Sequence, residues 1–403
     1  MIKEIRFEGL KRTKEYIVTR ELISKVGEPL LLENLAIEKQ RIELLDIFSD
    51  IRIEPEVVEE KVIIHYIFVE TFPLLPSISI SITDENGVSA GAGVKSPNLL
   101  GRDIFFSGRV LFGGSTVAEF WIDNPWVTGN HLGYSLEYYY RERSNLITES
   151  NEIANEFYLK VGSWIGRHGR IGGSFESINI RSDKPGTTLS PDGLDKTTRL
   201  GFYLGYDNRD AFTDTRRGWW SEIEIGGDMR LFENSSKFVQ LDLDIRRYQP
   251  MPWDNHTLVL FSLTTLRTGE VGKEVAPWQV FGLGGTNTIR GWDFASRQGK
   301  NQFINTVEYR ITLFEPRLIH LPFKIKYRGG IAFAVFGDLG IVWDNPHEFR
   351  GDNFIGGVGA GIRLLLPIVG VLRVDVAWGQ QGKGIYFHIG AFEKPVMTRK
   401  RVR

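Results

Sequence analysis

From Ser77 onward, apolar and polar residues alternate almost one for one. Ser77-Ile78-Ser79-Ile80-Ser81-Ile82-Thr83 does so without a fault. In 239–246, Val239, Leu241, Leu243 and Ile245 oppose Gln240, Asp242, Asp244 and Arg246. In 303–313, Phe303, Val307, Tyr309, Ile311 and Leu313 share one face, with Asn305 the exception, while Thr306, Glu308, Arg310 and Thr312 share the other. In 326–338, Tyr327, Ile331, Phe333 and Val335 oppose Lys326, Arg328 and Asp338. A period of two puts each set on one side of a sheet. Sixteen such segments occur, at about 77–83, 87–96, 101–112, 115–124, 130–142, 152–164, 168–181, 197–208, 217–229, 235–248, 255–268, 302–314, 324–338, 353–365, 370–379 and 383–392. An even number of long strands, apolar on one face and charged on the other, fits a half-exposed soluble sheet or a membrane all-β barrel of 16 antiparallel strands over residues 73–393; the barrel is the expectation, carried mainly by the family resemblance given below. Closing such a sheet removes the edges that hydrocarbon cannot solvate. A propeller would show a repeat of roughly 40 residues, which the chain lacks.

Residues 1–72 follow a different rule. Ile2-Lys3-Glu4-Ile5-Arg6-Phe7 alternates as a strand, and Ile17, Val18, Leu22 and Val26 fall near helical spacing over 14–25. Gly27-Glu28-Pro29 breaks that helix. A second helix is expected from about Leu32 to Leu45, followed by strands at Ile51–Glu54 and Val62–Val69. The order β-α-α-β-β suits a small α+β domain with helices on one sheet face. Residues 394–403 form a basic tail containing Lys394, Arg399, Lys400, Arg401 and Arg403, expected to be solvated.

Composition narrows the function classes. Among 403 residues there is no run of about 18 apolar positions, so the sequence predicts no membrane helix. A formal net charge of −1 gives no bulk attraction to nucleic acid, and no such partner is expected. Cysteine is absent, which rules out a disulfide framework and a thiol nucleophile. The seven histidines lack metal-ligand spacing, and neither a nucleophile elbow nor a phosphate loop is found. Gly357-Val358-Gly359-Ala360-Gly361 looks like a nucleotide loop but sits in a strand pattern. No enzymatic activity, metal or cofactor is expected.

The candidate chemistry lies in the Gly-rich stretch Gly284-Gly285-Thr286-Asn287-Thr288-Ile289-Arg290-Gly291-Trp292, between long alternating strands. Arg290 carries a planar, permanently charged fork suited to a bidentate carboxylate. If the strands close, the loop can fold into the lumen and reach carboxylates on the inner wall. Glu308 and Asp338 both fall on the polar face of their strands. Gly291 allows a tight turn, and Trp292 can pack the loop tip against the wall.

With these residues the chain resembles the BamA-type superfamily of outer-membrane assembly and transport barrels. Ile289-Arg290-Gly291-Trp292 is similar to that family's aliphatic-Arg-Gly-aromatic loop motif, and Glu308-Tyr309-Arg310 to the strand after it. Phe336-Gly337-Asp338-Leu339-Gly340, Gly359-Ala360-Gly361-Ile362-Arg363 and Leu372-Arg373-Val374-Asp375 match later strands. Asn98-Leu99-Leu100-Gly101-Arg102, Asp123-Asn124-Pro125-Trp126 and Asp207-Asn208-Arg209-Asp210 match weaker signatures. The resemblance implies that residues 1–72 are one POTRA module in the periplasm, that the barrel sits in the bacterial outer membrane, and that Arg290 pairs with Glu308 and Asp338.

The junction between first and last strands is the second candidate site. The first strand is short, bounded by Pro76 and Gly87, and the last contains Gly384 and Gly390. Glycine weakens a strand, so this junction is the easiest to open, and opening exposes two edges that template an incoming strand. The resemblance implies a lateral gate built from Ser77, Ile78, Ser79, Ile80, Gly384, Phe387, Gly390 and Phe392. Phe387–Phe392 also resembles the C-terminal signal by which barrels are recognised.

The expected function is therefore an assembly factor that folds and inserts β-barrel clients into the outer membrane. Its expected partners are unfolded outer-membrane protein clients, periplasmic chaperones or accessory lipoproteins, and outer-membrane lipids. A two-partner-secretion-type or TamA-like polypeptide translocator and a passive barrel are the alternatives.

Overall fold

The computed structural model describes residues 1–391 except 44, 46, 128–131, 211–214, 230–234, 322–324, 367–369 and 380–385. Gly384, Phe392 and the basic tail 394–403 lie outside the described residues.

The N-terminal region holds β1 (Ile2–Glu8), α1 (Glu15–Thr19), α2 (Leu32–Glu43), β2 (Phe48–Val58) and β3 (Lys61–Glu70). The sheet order is β1-β3-β2, with β1 parallel and β2 antiparallel to the central strand. Ile17 and Val18 of α1 and Ile42 of α2 are buried with Ile2, Ile64 and Tyr66 in one apolar core. The first helix is much shorter than the spacing over 14–25 predicts. Glu38 of α2 is the reason. Its buried carboxylate accepts the backbone N–H groups of Ile23 at 2.7 Å and Ser24 at 2.6 Å, and the Tyr66 hydroxyl as well. Those amides are satisfied outside a helix, so the chain turns away before Gly27, where φ is +91°.

The second sheet has sixteen strands: β4 (Leu75–Thr83), β5 (Gly87–Leu99), β6 (Ile104–Gly113), β7 (Thr116–Asn124), β8 (Gly133–Asn145), β9 (Ser150–Ile165), β10 (Gly169–Ser182), β11 (Leu194–Asp207), β12 (Gly218–Asp228), β13 (Val239–Pro250), β14 (His256–Arg267), β17 (Asn301–Leu321), β18 (Ile325–Trp343), β19 (Ile355–Leu366), β20 (Gly370–Gly379) and β21 (Tyr386–Ala391). Two three-residue strands, β15 (Phe281–Leu283) and β16 (Arg297–Gly299), pair within the loop joining β14 to β17. Every neighbour in the large sheet is antiparallel and adjacent in sequence, apart from that insertion. Among the described residues no helix is long and apolar enough to cross a membrane.

The two faces differ as the alternation requires. Ile78, Phe112, Leu200, Ile225, Val358 and Trp378 are exposed on one face. Glu156, Arg170, Arg246, Glu308, Asp338 and Asp375 are buried on the other. Such an apolar exterior is unfavourable in water and suited to hydrocarbon.

The strands β17 and β18 run well past 302–314 and 324–338. Their ladder continues to Leu321↔Ile325, but register shifts interrupt it between Thr312 and Phe314 and between Phe314 and Arg317. A bulge breaks the period of two without ending the pairing, so in β17 the alternation stops before the strand does; β18 outruns its expected range at the other end, over 339–343, where its ladder with 301–305 is regular. The first strand likewise starts earlier than Ser77, at Leu75, and takes in Pro76 opposite Val94. Proline is tolerated there because β4 is the terminal strand of the sheet order. β4 and β21 end that order and come within 8 Å of each other, Cα to Cα. Among the described residues no strand pairing joins them.

The N-terminal region is seated on the turn between β5 and β6. Arg20 pairs with Asp103 at 2.7 Å and stacks over Trp126, with 4.5 Å from its guanidinium carbon to the ring centroid. Asn98 Nδ2 donates to Thr13 Oγ1 at 2.8 Å, and Lys14 N–H to the Gly101 carbonyl at 2.9 Å. At Gly101, φ is +70° and a Cβ would lie 1.9 Å from the Arg12 carbonyl oxygen, so only glycine lets the two regions meet this closely.

Candidate site: an inward loop clasped by wall carboxylates

The loop from 268 to 300 turns back along the polar face of the sheet. Its first half is tied by Trp278 Nε1 donating to Asp195 at 2.8 Å and by Ser236 Oγ donating to Gln279 Oε1 at 2.8 Å. Leu283, Ile289 and Trp292 then form an apolar cluster with Ile304, Val342 and Ile355 of the wall. This cluster fixes where the next polar group can go.

Arg290 is 2% exposed. Its Nε and Nη2 donate to the two oxygens of Asp338 at 2.7 and 2.8 Å, the planar fork that a carboxylate matches. Its backbone N–H also donates to Asp338, at 3.1 Å. Nη1 donates to Asp375 at 3.0 Å and reaches Glu308 at 3.5 Å. The guanidinium carbon lies 3.3 Å from the centroid of the Phe336 ring. Asp338 is the dominant partner and Glu308 the weaker of the two carboxylates that the alternation puts on the inner face.

Four wall residues not expected as partners complete the cluster. Asp375 of β20 is fully buried and takes both Arg290 and Arg363. Arg363 of β19 donates to Glu308 at 2.6 and 3.2 Å, and Arg310 donates to Glu308 at 2.6 Å. Arg373 lies 3.4 Å from Asp375. Four guanidinium groups thus meet three carboxylates. Removing Arg290 takes from buried Asp338 the guanidinium that neutralises it. The sequence holds a signal for Asp375: in Leu372-Arg373-Val374-Asp375 the charged residues take the same parity as the inner face.

Glycines make the room. A Cβ at Gly357 would lie 1.9 Å from the Arg290 carbonyl oxygen, at Gly359 2.5 Å from the Phe336 ring, and at Gly361 2.0 Å from an Asp375 oxygen. The glycine run 357–361 is therefore a trough on β19 that receives the loop tip. Gly291 has φ +89°, and its Cβ would strike the Trp378 backbone at 2.4 Å. Trp292 Nε1 donates to the Gly356 carbonyl at 2.9 Å.

Of the residues expected at the seam, Ile78 and Ile80 are exposed on the apolar face of β4, and Ser79 lies between them. Phe387 and Gly390 lie in β21, opposite Val376 and Arg373 of β20. Gly384 and Phe392 lie outside the described residues.

A sixteen-stranded antiparallel sheet, apolar on one face and ionic on the other, with a loop clasped on the ionic face, is the kind of wall that outer-membrane β-barrel proteins have. The chain belongs to the Omp85 superfamily, whose domain matches residues 98–392. Its fold is similar to that of BamA from Haemophilus ducreyi lacking POTRA domains 1–3, at 16% identity and a TM-score of 0.62, covering 96% of this chain and 82% of that one. It is also similar to CdiB from Escherichia coli (12% identity, TM-score 0.64, 96% and 75% covered) and CdiB from Acinetobacter baumannii (15%, 0.60, 94% and 70%). At these identities the likeness is one of fold.

Proposed function

We propose that the chain is an outer-membrane assembly factor that inserts β-barrel clients through the seam between β4 and β21. The observation that carries this reading is the seam itself. Two strands end the sheet order side by side without a pairing among the described residues, and unpaired edges template an added strand. In this reading the sheet closes at the seam, and residues 1–72 act as a POTRA module in the periplasm. The module receives unfolded outer-membrane clients, chaperones or accessory lipoproteins, and the outer face meets outer-membrane lipids.

A polypeptide translocator of the two-partner-secretion or TamA-like kind is the second reading, supported by the likeness to CdiB, which is as close as that to BamA. The clasp favours the first. Passage through the lumen requires displacing a loop whose arginine is buried among three carboxylates, at a cost of about 3–5 kcal/mol when one partner is lost. Passage through the seam leaves that cluster intact.

The test is folding of urea-denatured barrel clients into liposomes that contain the protein. Faster client insertion than into empty liposomes supports the assembly reading. Equal rates, with an unfolded polypeptide instead becoming protected inside the liposome, contradict it.

A further inference from the structure

Two parts of the molecule on opposite sides of the seam are each anchored firmly, and Asp84 and Thr286 link them. On one side, the loop is clasped to β17, β18 and β20 through Arg290, and Arg373 of β20 donates to the Thr286 carbonyl at 2.6 Å. On the other side, the turn between β4 and β5 is fixed to the β8–β9 hairpin. There Glu85 accepts the Leu146 N–H at 3.1 Å and Arg143 at 3.4 Å, while Asn86 accepts the Ser144 N–H at 3.0 Å. Between the two, Thr286 donates from its backbone N–H to one oxygen of Asp84 at 2.6 Å and from its hydroxyl to the other at 2.7 Å. In the sheet order β20 is followed by β21, and among the described residues no pairing joins β21 to β4. A loop held both by β20 and by the β4–β5 turn therefore bridges that junction from the inner side. Gly285 is part of this fit: its φ is +94°, and a Cβ there would lie 2.6 Å from the Asp84 carboxylate.

We propose that Asp84 and Thr286 form a latch across the seam, through which the clasped loop holds the first hairpin against the last strands. Asp84 is a positioning residue: it sets how often the seam opens. The latch rests on the reading of the seam as a gate. Separating β4 from β20 moves an anchored turn away from an anchored loop, so both hydrogen bonds must break as the seam opens. The carboxylate has two short bonds from one residue, and the link is reversible because Asp84 sits in an exposed turn where water can replace Thr286.

The chain has no cysteine, so two can be introduced without background. Nitroxide labels at Ile80 of β4 and Val376 of β20 report the width of the junction in proteoliposomes by electron–electron distance measurement. Asp84→Ala is expected to raise the ratio of long to short distances roughly tenfold, the size expected when hydrogen bonds to a charged acceptor are lost. Thr286→Val, which removes only the hydroxyl bond, shifts the ratio less in the same direction. Asp84→Asn keeps an acceptor for the Thr286 N–H and restores most of the short distance. Distances unchanged by both Asp84→Ala and Thr286→Val overturn the latch, as does a change that Asp84→Asn fails to rescue. Failure of the gate reading is a separate result, read in client insertion rather than in these distances.

Discussion

Arg290 is bound more completely than a surface arginine ever is. Exposed ion pairs contribute about 0–1 kcal/mol because water and salt screen them. Here the fork sits on Asp338, a third nitrogen serves Asp375, and the ring of Phe336 covers the charge. Arg290→Ala is expected to cost about 3–5 kcal/mol, because three carboxylates lose a shared partner. On a cold gel without boiling, the variant should lose its compact mobility at a lower heating temperature than the wild type. An unchanged transition temperature contradicts the clasp. The alternation makes Glu308 and Asp338 legible as inner-face groups, and Asp375 by the same parity. Which carboxylate takes the fork is not legible, because it depends on how deep the loop reaches and how the strands stagger.

A second residue carries a pH dependence outside the membrane wall. His65 of β3 lies between Glu8 of β1 at 2.8 Å and Glu56 of β2 at 3.1 Å, so one imidazole ties all three strands. The hydrogen bonds it donates to Glu8 and then to Glu56 hold its pKa above the usual histidine value. A raised folded-state pKa means that the protonated tie stabilises fully below the unfolded value of 6.5 and is lost as pH rises through the folded value. Amide exchange in β1–β3 of the intact protein should therefore speed up across that rise, beyond the intrinsic effect of hydroxide. His65→Gln should remove the excess. The same pH profile in both proteins would show that the tie contributes nothing.

At the scale of elements, β19 is where sequence and structure teach most. Its glycines 357, 359 and 361 read as a weak strand or a false nucleotide loop when taken alone. In the fold they are the trough under the loop tip, and each missing Cβ is a space that Arg290, Phe336 or Asp375 occupies. Gly357→Ala removes no charge and no hydrogen bond. It should nevertheless lower the unfolding temperature in the same assay as Arg290→Ala, because the loop carbonyl 1.9 Å away must move. In the Arg290→Ala background the same substitution should cost much less, since the loop is already released; additive costs would show that the two sites are independent. Strand number is legible because period two is a local signal. The far end of β17 is not, because bulges reset the parity, and the length of α1 is not, because a distant carboxylate, Glu38, captures the amides of Ile23 and Ser24. The Asn98–Arg102 turn is legible only as a motif; its seat against Arg12, Thr13 and Arg20 is a tertiary fact.

For the whole molecule, the sheet's order turns a list of hairpins into one wall whose two ends meet. Fifteen neighbouring pairings hold the wall, while the meeting of β4 and β21 adds no pairing among the described residues. In the proposed account this junction is the weakest line of the wall, and the insertion of client strands uses it. The measurement that tests this most directly is a reducible lock. Cysteines at Ser79 of β4 and at His388 of β21, oxidised to a disulfide, fasten the junction in an otherwise cysteine-free chain. Client folding into liposomes should fall to the rate of empty liposomes when the lock is closed and recover when it is reduced. Client folding at full speed through a locked seam would contradict the account.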